Sequence, residues 1–167
     1  MPSRANTVLP SICNAPNEAF YRSDTYTIDD SVGYLMRLVL ASISRQIDLQ
    51  MQEYGVTALQ WGPLLLIKHG RGNTAAALAR ESSIDTGAVT RMLDRLEAKG
   101  LLSRERCKRD RRVFHLKLTA EGERVTEHIP ACVSNVLNNH LRGFSAEQFE
   151  FLKGLLRQML ENGKQPA

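Results

Sequence analysis

Residues 86–118 read TGAVTRMLDRLEAKGLLSRERCKRDRRVFHLKL, and the fold turns on how this stretch is divided. In its first half Val89, Met92, Leu93 and Leu96 recur at helical spacing and fall on one face. The opposite face carries Thr86, Gly87, Thr90, Arg91, Asp94 and Ala98, with Arg95 at its edge. Gly100 supplies a C-cap after Lys99, and the period then changes from 3.6 to two. Phe114, Leu116 and Leu118 alternate with Val113, His115 and Lys117, which predicts a hairpin over Ser103 to Leu118. Between Ser103 and Lys117 lie Arg104, Arg106, Lys108, Arg109, Arg111, Arg112 and Lys117, opposed only by Glu105 and Asp110. That segment is net +5 in a chain of net +4, so everything else together is slightly acidic. Local basicity of this kind is the footprint of a nucleic-acid contact. Charge alone leaves a solvated loop open as the other reading.

Upstream, Thr74 to Glu81 reads as a short helix of small residues, and Ser82 to Asp85 as a turn into the helix from Thr86 to Lys99. Gly70-Arg71-Gly72-Asn73 breaks the chain before it, with no GK[ST] following, so it is not a phosphate loop. Thr57 and Gln60 have capping-box spacing ahead of a helix that runs to about His69. Asp29, Asp30 and Ser31 offer N-cap chemistry to a long helix whose apolar residues, Val32 to Met51, cover more than one stripe. A helix that apolar needs burial on several sides, which in a short chain suggests a subunit interface. Downstream, Thr119 caps another helix that Pro130 is expected to kink or split. Ser145 and Gln148 form a second capping box before a last helix expected to bury Phe149, Leu152, Leu155, Leu156, Met159 and Leu160. Residues 1–28 lack helical periodicity and read as a tail that orders against a partner chain.

The 167 residues, 43% of them hydrophobic, fit one domain, or one domain with an appended dimerisation layer, and exclude wholesale disorder. No stretch reaches the roughly eighteen apolar residues of a membrane span, and no leader is visible, so a cytoplasmic protein is expected. Cys13, Cys107 and Cys132 are odd in number and widely spaced, which argues against a disulfide framework or a metal site. His69, His115, His128 and His140 show no HExxH spacing. Neither an enzyme nor a cofactor is expected.

A short helix, a turn, an amphipathic helix and a basic hairpin make a unit that can grip duplex DNA. The helix from Thr86 has the dimensions of the major groove, and its small N-terminal residues let the backbone approach closely. Asp110 stands among Lys108, Arg109, Arg111 and Arg112, where it can hold a guanidinium in one rotamer for a narrow minor groove. Simple charge balancing on a loop is the alternative.

These motifs resemble the MarR family of winged helix-turn-helix transcriptional regulators. Leu78-Ala79-Arg80 and the run Thr90 to Leu101 are similar to its helix-turn-helix; Asp110-Arg111-Arg112 and Leu116 to Gly122 to its wing and exit; Thr57 to Trp61 to the start of its second helix. The resemblance implies a mainly α fold with a small β-hairpin wing and a dimerisation layer from the N- and C-terminal helices. It assigns residues 29–56 and 119–164 to that layer and 57–118 to the DNA-binding region. It further implies a homodimer on pseudo-palindromic double-stranded DNA, contacting it through Thr86, Gly87, Thr90, Arg91, Arg95, Arg109, Asp110 and Arg112, with Asp110 orienting Arg112.

Many relatives respond to phenolic or aromatic carboxylate ligands, and a repressor released by such an effector is expected here. The residues here able to build such an effector site are Arg37 and Arg45 as carboxylate partners, with Trp61, Leu65 and His69 as walls or donors. Plainer roles stay open: core for Trp61, a helix-end contact for His69, a cross-dimer pair for Arg37. Two other readings remain. One is a thiol-redox regulator of the same fold, for which Cys107 between Arg106 and Lys108 is the candidate. The other is a winged-helix protein-interaction module without DNA function.

Overall fold

The computed structural model describes residues 19–107, 110 and 113–164. Its elements in chain order are α1 (Val32–Gln50), a single 3-10 turn (Gln52–Tyr54), α2 (Trp61–Lys68), α3 (Ala75–Ser82), α4 (Thr86–Ala98), β1 (Leu102–Arg106), β2 (Phe114–Leu118), α5 (Ala120–His140) and α6 (Ala146–Asn162). Two compact units divide at Leu38–Val39, within α1.

The first unit ends in the opening turns of α1. Part of the sequence read as a tail is tied down locally: Tyr21 Oη accepts the Val32 amide at 2.8 Å, and the Tyr21 and Tyr26 rings meet edge-on at 5.8 Å. Arg22 bonds both oxygens of Asp24 and holds that carboxyl below its usual range. A phenol hydroxyl therefore satisfies the first amide of α1, where Asp29, Asp30 and Ser31 had offered cap chemistry.

The second unit holds the core. Ile47, Met51, Leu64, Leu78, Leu93, Leu96, Leu102, Ile129 and Val136 are all at most 2% exposed. The stripe on α4 is as its spacing predicted: Val89, Met92, Leu93 and Leu96 are its buried residues. β1 and β2 form an antiparallel hairpin in the register Leu102↔Leu118 to Arg106↔Phe114. Leu116 of β2 also donates its amide to the Asn73 carbonyl at 2.9 Å, which docks the hairpin beside the start of α3.

Three expectations change. Thr57 does not open α2: the helix starts at Trp61, and residues 58–60 are turn. Only half of the capping box forms, with the Gln60 side chain accepting the Thr57 amide at 3.2 Å, while the Ala58 amide goes to Asp48 Oδ1 at 2.7 Å. Pro130 does not split α5, which stays one helix because Ile129, Val133 and Val136 lie buried on either side of it. The apolar residues of α6 are not buried within the chain: Leu160 is 70% and Leu155 41% exposed, since no described element covers that face. By contrast, the box at Ser145 and Gln148 is complete.

Among the described residues no helix is long and apolar enough to cross a membrane.

Candidate nucleic-acid interface

α4 owes its start to Asp85, whose carboxylate accepts the Ala88 amide at 2.9 Å. The turn before it is made by Ser83 at φ 53°, a left-handed cap whose amide bonds the Ala79 carbonyl. Short side chains at this corner let α3 and α4 meet closely, and the outer face of α4 is left open. Thr86, Gly87, Thr90, Arg91, Asp94 and Arg95 are all exposed. Thr90 Oγ1 donates to the Thr86 carbonyl at 2.9 Å, which fixes its hydroxyl on the exposed side of the helix. A Cβ at Gly87 would stand 3.2 Å from Asp85 Oδ1 and 3.5 Å from Arg91 Nη1; the Arg91 guanidinium thus lies back over the glycine. Hydroxyls and guanidinium groups at the first turns of a groove-sized helix can bond base edges and phosphates.

The basic hairpin is less uniformly available than its composition suggested. Arg104 is a strut: Nη2 reaches Asp94 Oδ1 at 2.5 Å, and Nε lies 3.3 Å from Glu97 Oε2, within ion-pair range though off hydrogen-bond geometry. It fastens β1 to α4 and spends its charge there. Lys117 pairs with Glu105 at 2.7 Å, and Arg106 lies over the Phe114 ring at 5.5 Å. The Asp110 carbonyl accepts the Val113 amide, and the Val113 carbonyl that of Cys107, which closes the loop. The expected contacts Arg109 and Arg112, and with them the pairing of Asp110 to Arg112, lie outside the described residues.

The C-terminal end of α4 is held from a distance. Lys99 Nζ donates to the Gly55 carbonyl at 2.5 Å and to Gln60 Oε1 at 3.0 Å, and Gln60 is only 4% exposed. Nothing in the sequence pointed to this latch.

Of the residues read as an effector site, Trp61, Leu65 and His69 come together. One turn apart on α2, they line a groove of 730 Å³ that also includes Pro63, Arg71 and Ile84. Arg45 is exposed on α1 and is not among the lining residues; Arg37, in the first unit, lies over its neighbour Tyr34 at 4.9 Å. The cation at this groove is Arg71, which sequence reasoning had passed over as part of a chain break.

The comparisons with known proteins point the same way. The model of the MarR family matches residues 56–114. A cysteine-to-serine variant of MarR from E. coli, complexed with operator DNA, is 29% identical, with a TM-score of 0.72 over 77% of this chain and 93% of that one. The S. aureus MepR–DNA complex gives 0.72 at 22% identity, covering 81% and 99%. A probable transcriptional regulator from Pseudomonas aeruginosa gives 0.73 at 22%, covering 80% and 99%. The last two show the fold; the first adds sequence likeness across the same elements. Residues 56–114 thus carry a match to the MarR family, and the fold around them is similar to that of MarR-type winged helix-turn-helix transcriptional regulators.

Proposed function

We propose that the protein is a homodimeric repressor that binds pseudo-palindromic duplex DNA and is released from it by a small aromatic effector. The observation that carries the DNA reading is the outer face of α4, open along its length while the hairpin beside it is pinned by Arg104. The contacts assigned to DNA are Thr86, Gly87, Thr90, Arg91 and Arg95 in the major groove, and Arg109, Asp110 and Arg112 at the wing tip. That MarR and MepR have been solved with DNA supports the assignment.

Two-fold assembly is supported by apolar surface that the single chain leaves uncovered. On α1, Leu40 is 59% and Leu49 66% exposed; on α6, Leu160 is 70% exposed. Residues 29–56 and 119–164 are accordingly assigned to dimerisation, 57–118 to DNA binding, and 1–28 to a tail. In such a dimer two α4 helices about 34–36 Å apart match successive major grooves. An effector that disfavours this spacing by about 1–3 kcal/mol weakens binding some 5–150-fold.

The test is the salt dependence of affinity for a duplex selected from a random pool. A dimer that neutralises about 6–10 phosphates loses roughly 10³–10⁵ in affinity between 50 and 200 mM salt. A flat response would mark a protein-interaction module instead. Sedimentation at micromolar concentration checks the dimer.

A further inference from the structure

Residues 19–31 hold an aromatic arm in a fixed shape and leave its first ring outside. Tyr21 Oη accepts the Val32 amide at 2.8 Å, the Thr25 amide donates to the Arg22 carbonyl at 3.2 Å, and the Ser31 amide to the Ile28 carbonyl at 3.1 Å. Phe20, next to the Tyr21 anchor, is 97% exposed, and Tyr26 and Ile28 are more than half exposed. A segment that is already ordered loses little freedom on docking. A large ring standing in water on such a segment has the form of an interface anchor. Arg22 is opposed by Asp24, Asp29 and Asp30, so the arm is net −2.

The groove along α2 has the complementary character. Trp61, Leu65 and Ile84 wall its 730 Å³, and Leu59 stands at its edge, 75% exposed. Among the described residues that line it there is no carboxylate, and its one permanent charge is Arg71. Glu81 Oε2 takes both Nε and Nη2 of that guanidinium, yet the arginine side chain stays 66% exposed. An acidic arm with an apolar tip and a basic groove with apolar walls thus occur in the same chain. In a two-fold dimer such a pair closes on itself, each copy giving one arm and receiving one, with no site left over.

We propose that residues 19–31 of one copy dock in the α2 groove of the other, with the partner's Phe20 against Trp61 and Leu65 and the partner's acidic residues 29 and 30 toward Arg71. The inference rests on the dimer reading above and deepens it. Besides the apolar faces of α1 and α6, an exchanged arm then joins the copies, and each groove is completed by a ring from its partner.

The chain has one tryptophan, so acrylamide quenching of Trp61 reads the groove, while sedimentation of the same samples reads assembly. Phe20→Ser should raise the quenching constant severalfold in a species that is still a dimer, since α1 and α6 remain to hold it. Phe20 is almost wholly exposed in its own chain, so the change spares the fold, which thermal melts verify. The double variant D29N, D30N should loosen docking by up to about 5-fold, and added salt should act on the parent in the same sense. Mixing decides whose arm fills the groove. The Phe20→Ser chain is combined with an excess of a Trp61→Phe chain, which lacks tryptophan but keeps its arm. The remaining Trp61 should regain its protection in the mixed dimers.

A dimer whose Trp61 is quenched equally with and without Phe20 would overturn the docking and leave the dimer reading standing. So would mixed dimers that regain no protection, because the arm would then serve its own chain. A parent that stays monomeric at every concentration would overturn both.

Discussion

Gly122 is the position where a single methyl group should do the most damage. It sits in the first turn of α5, and a Cβ there would lie 1.9 Å from the Leu101 carbonyl oxygen and 2.9 Å from its carbon. An ordinary carbon–oxygen contact is about 3.3 Å, so helix and strand entrance must part by more than about 1 Å. The obstacle is backbone, which cannot swing aside. The same junction carries three hydrogen bonds: Thr119 donates its amide to the Leu101 carbonyl at 3.1 Å and its hydroxyl to the Gly100 carbonyl at 2.5 Å, and accepts the Gly122 amide at 3.0 Å.

Overpacking costs about 1–3 kcal/mol, and two strained hydrogen bonds about 1 kcal/mol each. The helix propensity gained on replacing glycine by alanine returns about 1 kcal/mol. The net loss for Gly122→Ala is about 2–4 kcal/mol, which in a chain of this size lowers Tm by roughly 5–15 °C. The assay is a circular-dichroism melt of both proteins at one concentration, because assembly shifts apparent stability. Gly62→Ala serves as control: Gly62 is also helical but has no atom within 4 Å of a built Cβ, so it should melt at or above the parent temperature. If Gly122→Ala melts with the parent, the wing and α5 are not joined as described.

The remaining predictions concern the interface and its supports. Arg91→Ala should lower duplex affinity and reduce the slope of log affinity against log salt by about 1, the signature of a lost phosphate contact. Arg104→Gln should weaken binding with an unchanged slope, since its charge is spent on Asp94 and Glu97; a slope that falls by about 1 would make it a phosphate contact after all. Lys99→Met removes the bonds to Gly55 and Gln60 and should cost about 1–2 kcal/mol, read as the urea midpoint. Leu160→Glu puts a charge on the uncovered face of α6 and should shift sedimentation from dimer to monomer; a dimer that persists unchanged would exclude that face from the interface.

Periodicity made some elements legible, and only local periodicity could. The stripe Val89, Met92, Leu93, Leu96 and the alternation ending at Leu118 are properties of neighbouring residues, so α4 and the hairpin were readable directly. The i, i+4, i+8 spacing of Trp61, Leu65 and His69 likewise placed three groove residues on one face. What failed involved distant partners. Gln60 was read as half of a cap, but its oxygen is shared with Lys99, 39 residues away, and α2 begins three residues later than the capping box implied. Arg104 counted as one more positive charge because nothing in its neighbourhood announced Asp94 and Glu97. Arg71 sat inside a glycine-rich break, where side chains are usually discounted. The apolar face of α6 was legible as apolar, but what covers it is not contained in one chain.

The supports of α4 are unevenly distributed, and this bears on how the helix can respond. Its C-terminal half is held by Arg104 to Asp94 and Glu97, and its last turn by Lys99 to Gly55 and Gln60. Through the turn at residues 57–60 that end is linked onward to Asp48 of α1, whose carboxylate takes the Ala58 amide. The N-terminal end has the Asp85 cap and the Ser83 turn, both belonging to the α3–α4 corner itself. A helix fixed firmly at one end and lightly at the other responds to a local push by tilting about the firm end. Ser82 and Ile84, which line the groove, are at the light end. Such a tilt would move Thr86, Gly87, Thr90 and Arg91, the residues proposed to meet the bases, and leave the register of the hairpin on α4 unchanged.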